Sequence, residues 1–263
     1  MIKIKTLFLN SLLLAAMLFT SCSSDEVQPS GESLIALSVQ ADAGFQSRAL
    51  NEASYENLDN YTVQLLKDGE VNQEWSYAKL PQTLKVDAGS YQLKAFYGED
   101  TPVSVTAMYV EGVSEPLEVT GTEKDPLTLS TVCKPVCAKV TVNFSEDMDT
   151  YFSDYSVVIK TSAMSADETF VWKKTDTDPV YLKVNDKEQV TMNITLVKIP
   201  DETSKAGETT IVDKVYELSP KQAMTLKVAP VVTQEEGKLG IKIEIDESTN
   251  DHEMDITVPG EWK

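Results

Sequence analysis

LPQTLKVDAGSYQLKAFYG, residues 80–98, is the stretch on which the fold turns. Leu84 and Val86 alternate with polar neighbours, Asp87-Ala88-Gly89 interrupts, and Tyr91, Leu93 and Ala95 resume the alternation. A period of two marks a strand with one buried face. The triplet between the two runs tolerates the positive φ that tight turns need, so the segment predicts two strands joined as a hairpin.

The same pattern extends in both directions. Upstream, Ile35, Leu37 and Val39 alternate, then Tyr61, Val63 and Leu65. Lys67-Asp68-Gly69-Glu70 turns the chain and Val71 to Trp75 returns it. Downstream, Val103, Val105 and Ala107 predict another strand, followed by Leu117 to Val119 and Leu127 to Val132. A second series opens with Val136, Ala138, Val140 and Val142. It continues through Val157 and Ile159, Phe170 and Trp172, Val190 to Leu196, Ile211 to Leu218 and Met224 to Val228. Ile241, Ile243 and Ile245 follow, then Met254, Ile256 and Val258. Residues 145–154 are the best helix candidate, with Ser145 as N-cap and acids in the first turn. About fourteen short strands at this spacing predict an all-β chain, and that count fits two tandem β-sandwich domains better than one. The sequence places them at 33–131 and 132–263, with the boundary near Pro135.

The N-terminus has a different grammar. Lys3 and Lys5 precede an apolar run from Leu7 to Phe19, and Leu18-Phe19-Thr20-Ser21-Cys22 closes it. The run is shorter than the roughly 20 apolar residues of a membrane span. It reads as a signal peptide over 1–21 of the lipoprotein kind, in which Cys22 becomes the first residue and carries lipid such as palmitate. Phe19 stands where such signals usually prefer Leu. Residues 22–32, rich in Ser, Asp, Glu, Pro and Gly, read as a flexible tether.

Composition narrows the function. The chain holds 42 acidic and 23 basic residues for a net charge of −19, which argues against nucleic acid as a partner. Arg48 is its single arginine, so bidentate capture of phosphate or carboxylate is nearly unavailable. The single histidine, His252, sits among acids and is read as an exposed turn residue; no nucleophile elbow or phosphate loop is present. The chain is therefore read as non-enzymatic, with no cofactor and no metal. The acids Glu244, Asp246, Glu247, Asp251, Glu253 and Asp255 crowd one hairpin, but their spacing matches no calcium loop and they are read as a solvated face. Cys133 and Cys137 would lie too far apart on one strand for a disulfide unless Lys134-Pro135 kinks it, and are read as small buried residues. Among the aromatics, Trp75 and Tyr77 near a hairpin arm are the candidates for contacting a ligand, while Tyr91 is read as core. Trp262 either docks the terminal strand or meets a partner.

Residues 80–98 resemble a leucine-x-x-Gly-x-Tyr-x-leucine-x-Ala hallmark of Bacteroidetes fimbrillin-like surface lipoproteins, related to type V pilins. Residues 132–144, VCKPVCAKVTVNF, resemble the strand that opens the second sandwich of those proteins. Asp25 and Glu26 resemble their acidic surface-export signal. The chain is similar to an uncharacterised domain group within that superfamily. The resemblance implies two transthyretin-like or immunoglobulin-like sandwiches, an outer-membrane location exposed at the cell surface, and a role in pilus assembly or adhesion. It also implies proteolytic processing at Arg48, after which the first strand leaves with the lipid and a pilin-like subunit fills the groove by strand addition. The rival reading is a glycan-binding surface lipoprotein of a polysaccharide-uptake system, gripping sugars through Trp75 and Tyr77.

Overall fold

The computed structural model describes residues 31–44, 53–200, 207–232 and 239–247, and 252–257 by backbone. Residues 1–30 with Cys22, Arg48, Trp262 and the side chain of His252 lie outside the described residues. Within them the chain forms eighteen strands and two single-turn α-helices.

The first sheet runs β3 (Glu70–Ser76), β2 (Thr62–Lys67), β5 (Gly89–Tyr97), β7 (Val110–Val113), β9 (Leu127–Pro135), β1 (Ser33–Ala41) and β4 (Thr83–Val86), with β8 (Leu117–Val119) also paired to β5. Only two residue pairs join β7 to β9. Around that short joint the sheet closes over one core, to which Ile35, Val63, Leu65, Tyr91, Leu93 and Leu129 contribute. The predicted Asp68-Gly69 turn is present: both residues have positive φ, 53° and 86°, and Lys67 pairs with Glu70 across it. That is the geometry a two-residue hairpin loop requires.

The second sheet runs β18 (His252–Thr257), β17 (Leu239–Glu247), β16 (Ala223–Val232), β10 (Cys137–Phe144), β13 (Val180–Lys183) and β6 (Val103–Ser104). The third runs β12 (Phe170–Lys173), β11 (Phe152–Lys160), β14 (Glu188–Lys198) and β15 (Thr209–Leu218). Inward residues of both, from Val140 and Leu226 on one to Val157, Trp172 and Ile194 on the other, share a single core. This is a β-sandwich in which each sheet contributes every second side chain. The two cores divide between Cys137 and Ala138, and β9 runs unbroken through residues 131 and 132.

Three expectations change. Residues 80–98 do not form a hairpin: β4 pairs with β1 and β5 with β2, β7 and β8. The Asp87-Ala88-Gly89 triplet instead carries the chain from the far end of the sheet to its middle. The Val103–Ala107 strand shortens to Val103–Ser104, leaving Val105 53 % exposed. The helix expected over 145–154 shrinks to α2 (Met148–Tyr151), because Phe152 and Tyr155 follow the strand pattern and are buried in β11. Ser145 accepts from the Asp147 amide at 3.3 Å without capping that turn. Both described cysteines are free thiols, buried in the first core.

The two halves interlock. β6 leaves the first half to pair with β13 of the second. Lys183 reinforces this clasp, binding both carboxylate oxygens of Asp100 at 2.6 and 2.8 Å.

Candidate functional site

The candidate site is the seat of β1, the first of the described strands. Its alternation sends Ile35 (0 % exposed) and Val39 (5 %) into the core, while Leu34, Ser38 and Gln40 face solvent. On one side β1 runs antiparallel to β4, in register from Ser33 opposite Val86 to Ala36 opposite Thr83. On the other it runs parallel to β9, from Ile35 opposite Leu127 to Ala41 opposite Cys133. It is thus an inner strand, paired to β4 over Ser33–Ala36 and to β9 over Ile35–Ala41.

Polar contacts fix both ends. At the start, the Ser33 hydroxyl, 2 % exposed as a residue, donates to Glu123 Oε2 at 2.5 Å. Glu123 also accepts from the Gly121 and Thr122 amides at 3.0 and 3.1 Å, and its Oε1 takes the Thr120 amide and hydroxyl at 2.9 and 2.7 Å. These donors, Ser33 foremost and then Thr120, hold the carboxyl well below the usual range. At the far end, the Asp42 amide donates to the Cys133 carbonyl at 2.8 Å. The buried Ala43 amide donates to Glu56 Oε1 at 2.9 Å, on α1 (Ala53–Glu56). Asp42 also pairs with Lys221 of the second half, whose own amide donates to the Cys137 carbonyl at 3.0 Å.

Aromatic residues close the same end. Tyr61, 1 % exposed, donates its hydroxyl to the Tyr55 carbonyl at 2.6 Å. Tyr97 packs on both, with ring centroids 5.0 Å from Tyr55 and 5.6 Å from Tyr61. Burial drives the Tyr61 phenol upward. Cys133, the register partner of Ala41, donates weakly to the Ala95 carbonyl at 3.4 Å, and burial pushes its thiol up to about 12.

The other sequence candidates are placed elsewhere. Trp75 and Tyr77 are half-buried and pack against the first core. Neither ring stands free of the body. In the acidic hairpin, Lys227 reaches Glu244 at 2.8 Å and Asp246 at 3.8 Å, so part of that charge is neutralised within the sheet. Among the described residues no group of three or more His, Cys, Asp or Glu is arranged to hold a metal. Sequence reasoning missed Glu123. Its only local signal is a Thr-Gly-Thr-Glu turn, and its partner Ser33 lies 90 residues away.

A family model described as "Domain of unknown function (DUF4493)" matches residues 31–260. No curated protein sequence matches the chain. Among solved structures, the chain is similar to a provisionally assigned adhesin of Bacteroides ovatus (TM-score 0.45, 11 % identity, 85 % of this chain and 95 % of that one). It is also similar to a provisionally assigned cell adhesion protein of Bacteroides eggerthii (0.43, 10 %, 83 % and 96 %). A third is the fimbrial anchor protein Mfa2 of Porphyromonas gingivalis (0.43, 10 %, 86 % and 99 %).

Proposed function

The chain belongs to the DUF4493 family, and from that premise we propose that it is a non-catalytic surface protein of the adhesion and pilus-assembly type, held at the outer membrane by lipid on Cys22. The observation that carries this reading is the setting of β1. One separable strand, seated between β4 and β9, has the lipoprotein-like Cys22 on its N-terminal side and the single arginine, Arg48, on its C-terminal side. Cleavage at Arg48 would leave β1 held by noncovalent contacts alone: its pairing, its core side chains and the polar contacts at its two ends. Its departure would uncover the β9 edge together with the pockets of Ile35 and Val39, which is what an incoming strand needs for both backbone bonds and side-chain anchors.

Two experiments test the parts separately. The purified chain is incubated with an arginine-specific protease and followed on denaturing gels without boiling. The expected result is loss of the segment ahead of Arg48 and a ladder of polymers, both abolished by Arg48→Ala. Cleaved monomer that persists without a ladder overturns the assembly role. Anchoring is read by membrane fractionation: Cys22→Ala is expected to move the protein into the soluble fraction, and a protein that stays membrane-bound without Cys22 overturns the lipid attachment.

A further inference from the structure

We infer that the parallel pairing of β1 with β9 is a mechanical clamp, loaded in shear when the chain is pulled from its N-terminus. The inference rests on the proposed anchoring only for the source of the load; the geometry stands without it.

β1 and β9 point the same way over seven register pairs, Ile35–Leu127 to Ala41–Cys133. Residues 1–32 enter β1 at one end of this pair, and β9 passes through Val136 into β10 of the second half at the other. The Ser33 end lies against Glu123, and the Asp42 end lies against Lys221 of the second half. A pull on whatever precedes Ser33, resisted by the second half, therefore runs along the strand axis from one end of the pair to the other. All rungs must then strain together. An antiparallel hairpin loaded at its open end would instead surrender them one at a time. The pattern recurs in the second half, where β10, the strand that receives the load, runs parallel to β16 from Lys139–Ala223 to Phe144–Val228.

Which amides form the clamp follows from alternation along β1. The Leu37 amide donates to Gln82 on the β4 side and the Asp42 amide to Cys133 on the β9 side. Ala36, Ser38 and Gln40 therefore present their amides to β9, and Val39 and Ala41 present theirs away from it. Gln40 is exposed, so Gln40→Pro removes a rung without crowding the core. Ala41→Pro, one residue on, places the same ring in the same strand and spares the β9 rungs.

Single-molecule pulling on the full chain tests this. One attachment is the N-terminus. The second is placed either at Lys134, near the far end of β9, or at Lys124, just before its start; both side chains are exposed. The expected result is one abrupt release at high force through Lys134, and release at clearly lower force through Lys124. Equal forces in the two geometries overturn the clamp, and this comparison needs no change in the strand itself. Under constant load through Lys134, Gln40→Pro is expected to shorten the lifetime roughly five- to tenfold, the worth of about one ladder hydrogen bond. Ala41→Pro should shorten it far less, and equal effects of the two prolines also overturn the inference. Membrane release by Cys22→Ala reports on anchoring alone, so failure of the anchor and failure of the clamp are told apart.

Discussion

Ser33 and Glu123 meet at 2.5 Å, joining the first residue of β1 to the turn between β8 and β9. Glu123 is held below the ordinary carboxylate range, so its contribution to stability is present above the unfolded value of about 4.3 and is lost as pH falls toward the folded value. Glu123→Gln should therefore lower the melting temperature at neutral pH. The gap between native and variant should narrow steadily below about pH 4. Thermal melts across pH 7 to 3 check this; a gap that widens in acid would contradict it.

The two faces of β1 should differ sharply. Ile35→Ala removes a fully buried side chain and should cost about 2–5 kcal/mol. Leu34→Ala, at a residue 39 % exposed, should stay within about 0.5 kcal/mol. Denaturant titration measures both.

Gly112 on β7 lies against Thr131 and Val132 of β9. A Cβ there would stand 2.6 Å from the Val132 carbonyl oxygen, 2.7 Å from Thr131 Oγ1 and 2.8 Å from the Val132 carbonyl carbon. Two of these are backbone atoms that cannot rotate away. Gly112→Ala should therefore destabilise by roughly 1–3 kcal/mol, whereas Val113→Ala at the neighbouring 47 % exposed position should change stability by less than about 0.5 kcal/mol.

Cys133 should report the state of β1. Its thiol is buried, shifted up by that burial and by the charge of Glu111, and Ala41 of β1 lies beside it in register. In the native chain neither Cys133 nor Cys137 should react with a thiol reagent at pH 8, where the thiolate attacks. Ile35→Ala should speed labelling at Cys133 more than at Cys137, read by mass spectrometry of the labelled peptides. Equal acceleration would mean that the first half opens as a whole.

Period-two alternation made most of the strands legible, because a half-buried strand must alternate. It identified β2, β3, β5, β10, β14 and β17, and Asp68-Gly69 identified their one two-residue hairpin turn. It did not reveal partners. Thr83–Val86 looks like the first arm of a hairpin because Asp87-Ala88-Gly89 follows, yet its partner β1 begins fifty residues upstream. β7 is not legible in sequence, because Glu111 and Gly112 dilute its apolar pattern. For the site, Cys22 and Arg48 are conspicuous in sequence and lie outside the described residues. Glu123 and Lys221 show the opposite case: each acts on β1 through a contact that only the folded chain creates.

The pairing of β1 also orders events in time. Its parallel partner lies about ninety residues downstream, so seating β1 is a long-range closure that local folding cannot achieve early. During synthesis β1 can meet β4 first, but its seat is complete only when Cys133 has emerged, while β2, β3 and β5 already have neighbours close in sequence. On the proposed anchoring, modification of Cys22 would precede the docking of the adjoining strand. The fold completes the seat of β1 late, and until then the end of β1 that follows residue 32 has no finished sheet to dock on.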